Sequence, residues 1–181
     1  AQNALGRVAI GMAEQFNAQH LLGQDLNGAL GTAFFNTLSG SALPASTNST
    51  VAAAQVNVTI NDSSELTTSD YRLRYDGANY TLTRLSDNTS WTAATLGGLP
   101  PAGSPQGFTL DSGATTLAAG DSFLIQPTRN GASDIRTLLS DPRMLAVAMP
   151  ISTAASLTNA GTGAISAGTV TSTTGLPLGG P

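Results

Sequence analysis

Three short blocks of this sequence hold residue types that could do chemistry. Gly120-Asp121-Ser122-Phe123-Leu124 sets a serine between a turn and an apolar run, where its hydroxyl could act as a nucleophile. Such a hydroxyl is weak unless a neighbouring base takes its proton. The one histidine, His20, lies far upstream, and none follows. Asp25-x-Asn27 opens like an oxygen-ligand loop for calcium. Its next ligand position is Ala29, the position that needs glycine is Leu30, and the twelfth is Asn36 rather than Glu. Trp91 and tyrosines 71, 75 and 80 form the third group, as rings that could stack on a sugar.

The residue types that are missing exclude more. All seven basic residues are arginine, and the chain has no cysteine. Without lysine there is no Schiff base and no phosphate-loop lysine. Without cysteine there is no thiolate catalysis, Cys-bound zinc, iron–sulfur cluster or disulfide. A two-histidine metal site would need a second chain. The block at Ser122 resembles that of the Gly-Asp-Ser-Leu hydrolases, which carry their catalytic histidine downstream in an Asp-x-x-His motif absent here. Ser86-Asp87-Asn88 matches a β-lactamase element whose Ser-x-x-Lys partner is impossible without lysine. Both read as turns, and His20 reads as a surface or packing residue at a helix end. No catalytic, cofactor-binding or metal site is expected, and no small-molecule substrate.

Charge narrows the partners. Charged residues are 10% of the chain, against roughly 25% in an average soluble domain. The net charge of -4 leaves no basic stripe for nucleic acid or an anionic membrane surface. No apolar run approaches the roughly 18 residues of a membrane span, and no signal peptide is visible. A start at Ala1 without Met suits a processed product or an excised fragment. Five Asn-x-Ser/Thr triplets, at Asn48, Asn57, Asn61, Asn79 and Asn88, follow from a chain with 24 Thr, 18 Ser and 11 Asn. They bear on glycosylation only in a eukaryotic secretory setting.

The elements that position these residues fall into four stretches. Residues 1–23 predict a helix that ends near Leu22, with Gly23 as its stop. Leu5, Val8, Met12 and Phe16 recur along it at spacings of three or four. That stripe must be buried, against this domain or against another segment. Residues 24–50 read as turn and linker, with Phe34 and Phe35 as adjacent apolar anchors. Residues 51–149 predict an antiparallel β domain, because the hydrophobic period drops to two. Val56, Val58 and Ile60 alternate with polar residues, as do Tyr71, Leu73 and Tyr75. After the Asp76-Gly77 turn, Tyr80 and Leu82 alternate likewise. Trp91 opens a short strand, residues 97–107 are Gly/Pro loop, and residues 107–110 and 122–125 form two more strands. A short helix is expected at 142–148, entered through Asp141-Pro142. Residues 150–181 read as a Ser/Thr/Gly-rich linker or the start of an inserted domain. The fold class is α+β, mainly β, with the sheet sandwich- or barrel-like. Its core is expected from Tyr71, Leu73, Tyr80, Leu82, Phe108, Phe123 and Ile125, with Trp91 at the margin.

Several blocks, in this order, resemble one family. They are Gly11-Met12-Ala13-Glu14-Gln15-Phe16-Asn17-Ala18-Gln19-His20, then Gly23-Gln24-Asp25-Leu26-Asn27-Gly28 and Phe34-Phe35. Thr68-x-Asp70-Tyr71-x-Leu73 and Asn79-Tyr80-x-Leu82-Thr83-Arg84-Leu85 follow. Gly120-Asp121-Ser122-Phe123-Leu124-Ile125-x-Pro127 and Leu139-x-Asp141-Pro142 complete the set. Together they resemble the bacterial flagellar hook-associated protein 1 family. The resemblance implies a structural subunit, not an enzyme, at the junction of flagellar hook and filament. It implies export to the outside of the cell without a cleaved signal peptide. The partners it implies are other copies and neighbouring axial proteins, the hook and other hook-associated proteins. This chain would be a central fragment: the tip of a rod helix plus an outer β domain. Leu5, Val8, Met12 and Phe16 would then pack on partner rod helices, and Phe34 and Phe35 would pin the rod–domain junction. A subunit that travels unfolded through a narrow channel is also well served by having no disulfide. The rival class is an extracellular β-rich adhesin or carbohydrate-binding module, using Trp91 and the three tyrosines.

Overall fold

A computed structural model of the chain describes all residues except 50–54, 114–115, 153, 155, 159, 164, 167 and 177–181. The expected change of period at Val51 lies outside the described residues. Helix α1 spans Gln2–His20. Among the described residues seven strands follow: β1 Ser39–Pro44, β2 Asn57–Ile60, β3 Tyr71–Tyr75, β4 Tyr80–Arg84, β5 Ser90–Ala93, β6 Phe108–Asp111 and β7 Ser122–Gln126. The backbone falls into two compact units. One joins Ala1–Met12 to Thr37–Ile135, and the other joins Ala13–Asn36 to Arg136–Pro181.

The first unit holds the sheet, in the order β5-β4-β3-β7-β1-β2-β6, and every pairing is antiparallel. Alternation explains its inward face. Tyr71, Leu73, Leu82, Phe123 and Ile125 are buried, while Arg72 and Arg74 between them are exposed. Leu73 pairs with Leu82 on one side and Phe123 on the other, which makes one continuous apolar row. The sheet curls on itself. The Tyr71 ring lies 5.0 Å from that of Phe108, although β7, β1 and β2 separate their strands in the order. The bend falls in β1, where Ser39 and Gly40 pair with β2 and Ser41–Pro44 pair with β7. The architecture is the expected one: a helix, then an antiparallel sheet curled into a partial barrel.

Three sequence expectations need correction. Residues 39–50 read as linker, yet Ser39–Pro44 is an interior strand. Its residues are small because space is short: a Cβ on Gly40 would sit 2.6 Å from Val58 Cγ1 and 2.8 Å from the Pro127 Cα. No periodicity survives in such a strand. Tyr80, assigned to the core, is only half-buried and stacks on Tyr75 at 4.4 Å. The helix expected at 142–148 shrinks to a 3-10 turn at Pro142–Met144, with the Asp141 carboxylate accepting from the Arg143 N–H at 2.9 Å. Beyond it the Ala146 and Ala148 N–H groups donate to His20 Nε2 and to the Gln24 carbonyl, so no helical ladder continues.

Helix α1 docks in the first unit by a face that differs from its large apolar stripe. Gly6, Ala9 and Ile10 are buried. A Cβ on Gly6 would lie 1.7 Å from the Thr128 carbonyl oxygen, so only glycine fits this approach. Asn3 Nδ2 donates to Asp70 Oδ1 at 2.8 Å and to the Thr68 carbonyl at 3.0 Å. Gln126 and Arg129 reach the other Asp70 oxygen, at 3.1 and 3.6 Å.

Candidate functional site

The stripe that dominates the helix in sequence is not its docked face. Leu5, Val8, Met12 and Phe16 are 62%, 67%, 51% and 42% exposed. Large apolar side chains that recur on one helix face and stay open to solvent form an uncovered stripe. In the first unit Leu5, Val8 and Met12 share one exposed face of α1.

Phe16 also joins a cluster in the second unit. Its ring lies 4.7 Å from Phe34 and 5.4 Å from Phe35, and those two rings lie 4.8 Å apart. Tilted and edge-on geometry suits the quadrupoles of the rings. Asn17 fixes the pair from below: its Oδ1 accepts from the Phe34 and Phe35 N–H groups at 2.9 and 2.8 Å, and its Nδ2 donates to the Phe35 carbonyl at 2.9 Å.

His20 closes the arrangement. It is buried, and Ala146 N–H donates to its Nε2 at 2.9 Å. A backbone N–H can only donate, so Nε2 carries no proton and Nδ1 holds the hydrogen. Nδ1–H then donates to the Thr32 carbonyl at 2.6 Å. Both ring nitrogens are thus committed to holding backbone, and neither is available as a base. Asn17 was not singled out in the sequence; its signal was an amide one turn before the helix end and beside Phe16.

Of the motifs that suggested chemistry, the Asp25 and Asp87 blocks are turns and the Asp121-Ser122 block opens strand β7. Asp25 Oδ1 accepts the Asn27 and Ala29 N–H groups, each at 2.8 Å, and the Ala29 bond holds its carboxyl below the usual range. The Arg84 guanidinium does the same for Asp87, with the Thr89 N–H in support. Asp121 is buried and accepts the Ser49 and Ala118 N–H groups, while Ser122 exchanges backbone bonds with the Asn48 amide. Among the described residues no group of three His, Asp or Glu could hold a metal ion, and no helix is long and apolar enough to cross a membrane.

Comparison with known proteins identifies the family. The sequence pattern of the flagellar hook-associated protein FlgK helical domain matches residues 1–35. That of the flagellar hook-associated protein 1 D2-like domain matches residues 44–127. The chain belongs to the flagellar hook-associated protein 1 family. It is 28% identical over 151 residues to flagellar hook-associated protein 1 of Salmonella typhimurium, and 32% identical over 149 residues to that of Escherichia coli K12. Each alignment covers 81% of this chain but 26% of the relative, so the chain spans about a quarter of those proteins. The structure of the flagellar hook junction protein FlgK from Burkholderia pseudomallei superposes with a TM-score of 0.64 at 33% identity, covering 80% of this chain and 26% of that one.

Proposed function

We propose that this chain is the central part of a structural subunit at the hook–filament junction. Helix α1 is the tip of a rod helix, and the curled sheet is an outer domain carried on it. The exposed stripe Leu5, Val8, Met12 and Phe16 carries the reading. Four large apolar side chains in line are covered when another rod helix lies along them, each contributing about 1.5–3 kcal/mol on burial. Phe34 and Phe35, clamped by Asn17, brace the place where rod gives way to outer domain. Family membership supports an extracellular location on the flagellum, export without a cleaved signal peptide, and contacts with copies of itself and neighbouring axial proteins.

Phe16→Asp in the full-length parent should abolish hook–filament assembly and motility. Intact swimming with normal filaments would remove the stripe from the interface. The sugar-binding alternative has no observation behind it. Tyr71 is buried and donates its hydroxyl to Gln106 Oε1 at 2.8 Å, Tyr75 and Tyr80 cover each other, and the Arg84 guanidinium lies 5.6 Å from the Trp91 ring centre.

A further inference from the structure

Asn-Gly occurs at Asn27-Gly28 and at Asn130-Gly131. Such a pair can rearrange where its backbone is free, because glycine carries no Cβ to shield its nitrogen. The two pairs lie in opposite surroundings, each within its own unit. Asn130-Gly131 is closed. Gly131 is buried, and a Cβ on it would lie 2.6 Å from the Gly6 carbonyl oxygen and 2.8 Å from Ile10 Cγ1. The peptide that joins the pair is held at both ends. The Asn130 carbonyl accepts the Ser133 and Asp134 N–H groups at 3.0 and 2.9 Å, and Gly131 N–H donates to the Thr128 carbonyl at 3.2 Å. Asn27-Gly28 is open. Both residues are exposed, and a Cβ on Gly28 would meet only Gln24 Nε2, at 3.8 Å. The short bonds of this turn run from Asp25 Oδ1 to the Asn27 and Ala29 N–H groups, each at 2.8 Å. The two groups that would react are held by longer ones: Gly28 N–H to the Asp25 carbonyl at 3.2 Å, and Asn27 Nδ2 to Asp25 Oδ2 at 3.3 Å.

We propose that Asn27 is a site of spontaneous deamidation, with Asn130 protected by the fold. The Gly28 backbone nitrogen gives its proton to hydroxide and attacks the Asn27 side-chain carbon. The new C–N bond closes a five-membered imide, the Cγ–Nδ2 bond breaks, and the nitrogen leaves as ammonia with a proton from water. Water then opens the imide at either carbonyl. One product is aspartate in the ordinary linkage, and the other is isoaspartate, whose backbone runs through the former side chain. Water is consumed and ammonia released, with no oxidant or reductant. Asp25 makes the change consequential. In both products Asp25 loses the Nδ2 donor, and a second negative charge stands beside its carboxylate, an unfavourable pairing. In isoaspartate the backbone also gains a methylene between residues 27 and 28. That puts the Asp25 N–H out of register with the Ala29 carbonyl, which it meets at 2.8 Å.

The purified folded chain, aged in mildly alkaline buffer, tests this by peptide mass mapping with an isoaspartyl methyltransferase assay. Acid should appear at residue 27 as a mixture of the two linkages, more than about tenfold faster than at residue 130. In urea, where neither pair is held, the two should react at similar rates. Equal rates in the folded chain, or Asn130 ahead, would overturn the assignment. A difference that persists in urea would trace it to neighbouring residues alone and overturn the structural account. Asn27→Asp, made directly, should lower the urea midpoint at neutral pH, and an unchanged or raised midpoint would overturn the role given to Asp25.

Discussion

The two units differ in what holds them together. In the sheet unit Leu73, Leu82 and Ile125 have no exposed surface, and their neighbours on β3, β4 and β7 complete the core. The unit of the helix end is precise in its hydrogen bonds, with Asn17 and His20 holding five backbone groups between them. It leaves Phe16, Leu21, Leu26, Leu138, Val147 and Met149 exposed, and the sheet unit leaves Leu5, Val8 and Met12 exposed on its own stretch of α1. Such exposed apolar surface is rare on a finished monomer.

Mutations can press on each side of this contrast. The largest effect belongs to Gly6→Ala, in the sheet unit. Alanine gains about 1 kcal/mol of helix propensity, but its Cβ meets a backbone carbonyl that cannot yield, so a net loss of about 3 kcal/mol is expected in urea unfolding. A gain would mean that α1 does not pack as described. His20→Leu comes next, in the other unit. It keeps the volume but leaves the Thr32 carbonyl and the Ala146 N–H unpaired, for a loss of about 2 kcal/mol. Hydrogen exchange at Ala146 should accelerate while the strand amides keep their protection.

The smallest effects are electrostatic. Asp76 in the sheet unit and Asp25 in the other are both held below the ordinary carboxylate range, first by the N–H groups of Asn79 and Ala29 respectively. A depressed folded-state pKa gives stability that is complete above the unfolded value of about 3.9 and is lost as pH falls through the folded value. Asp76→Asn and Asp25→Asn should each shrink the drop in urea midpoint between pH 7 and pH 3. An unchanged drop in both would remove these turns from the acid response.

The contrast also explains what could be read in advance. Strands β3 and β4 were legible because large residues alternate with Arg and Thr around an Asp-Gly turn. Strand β1 was not, since its place between β7 and β2 demands small residues that leave no period. On α1 the large residues at regular spacing are Leu5, Val8, Met12 and Phe16, but the docked side is Gly6, Ala9 and Ile10, where Gly6 permits close backbone approach. Periodicity found the stripe; only tertiary structure decided which face this domain uses. The roles of Asn17 and His20 depend on partners distant in sequence, with Ala146 the extreme case, and no local pattern encodes them.

The exposed stripe is the centre of the account, and Val8→Ser tests it most directly. Serine and valine have similar helix propensity, so the substitution reads cover alone. In this chain the unfolding free energy should move by less than about 0.5 kcal/mol, as for an exposed site. In the full-length parent it should fall by about 1–3 kcal/mol, the value of burying a valine-sized side chain. Equal small shifts in both proteins would mean that nothing covers the stripe within the subunit and would contradict the rod-helix assignment.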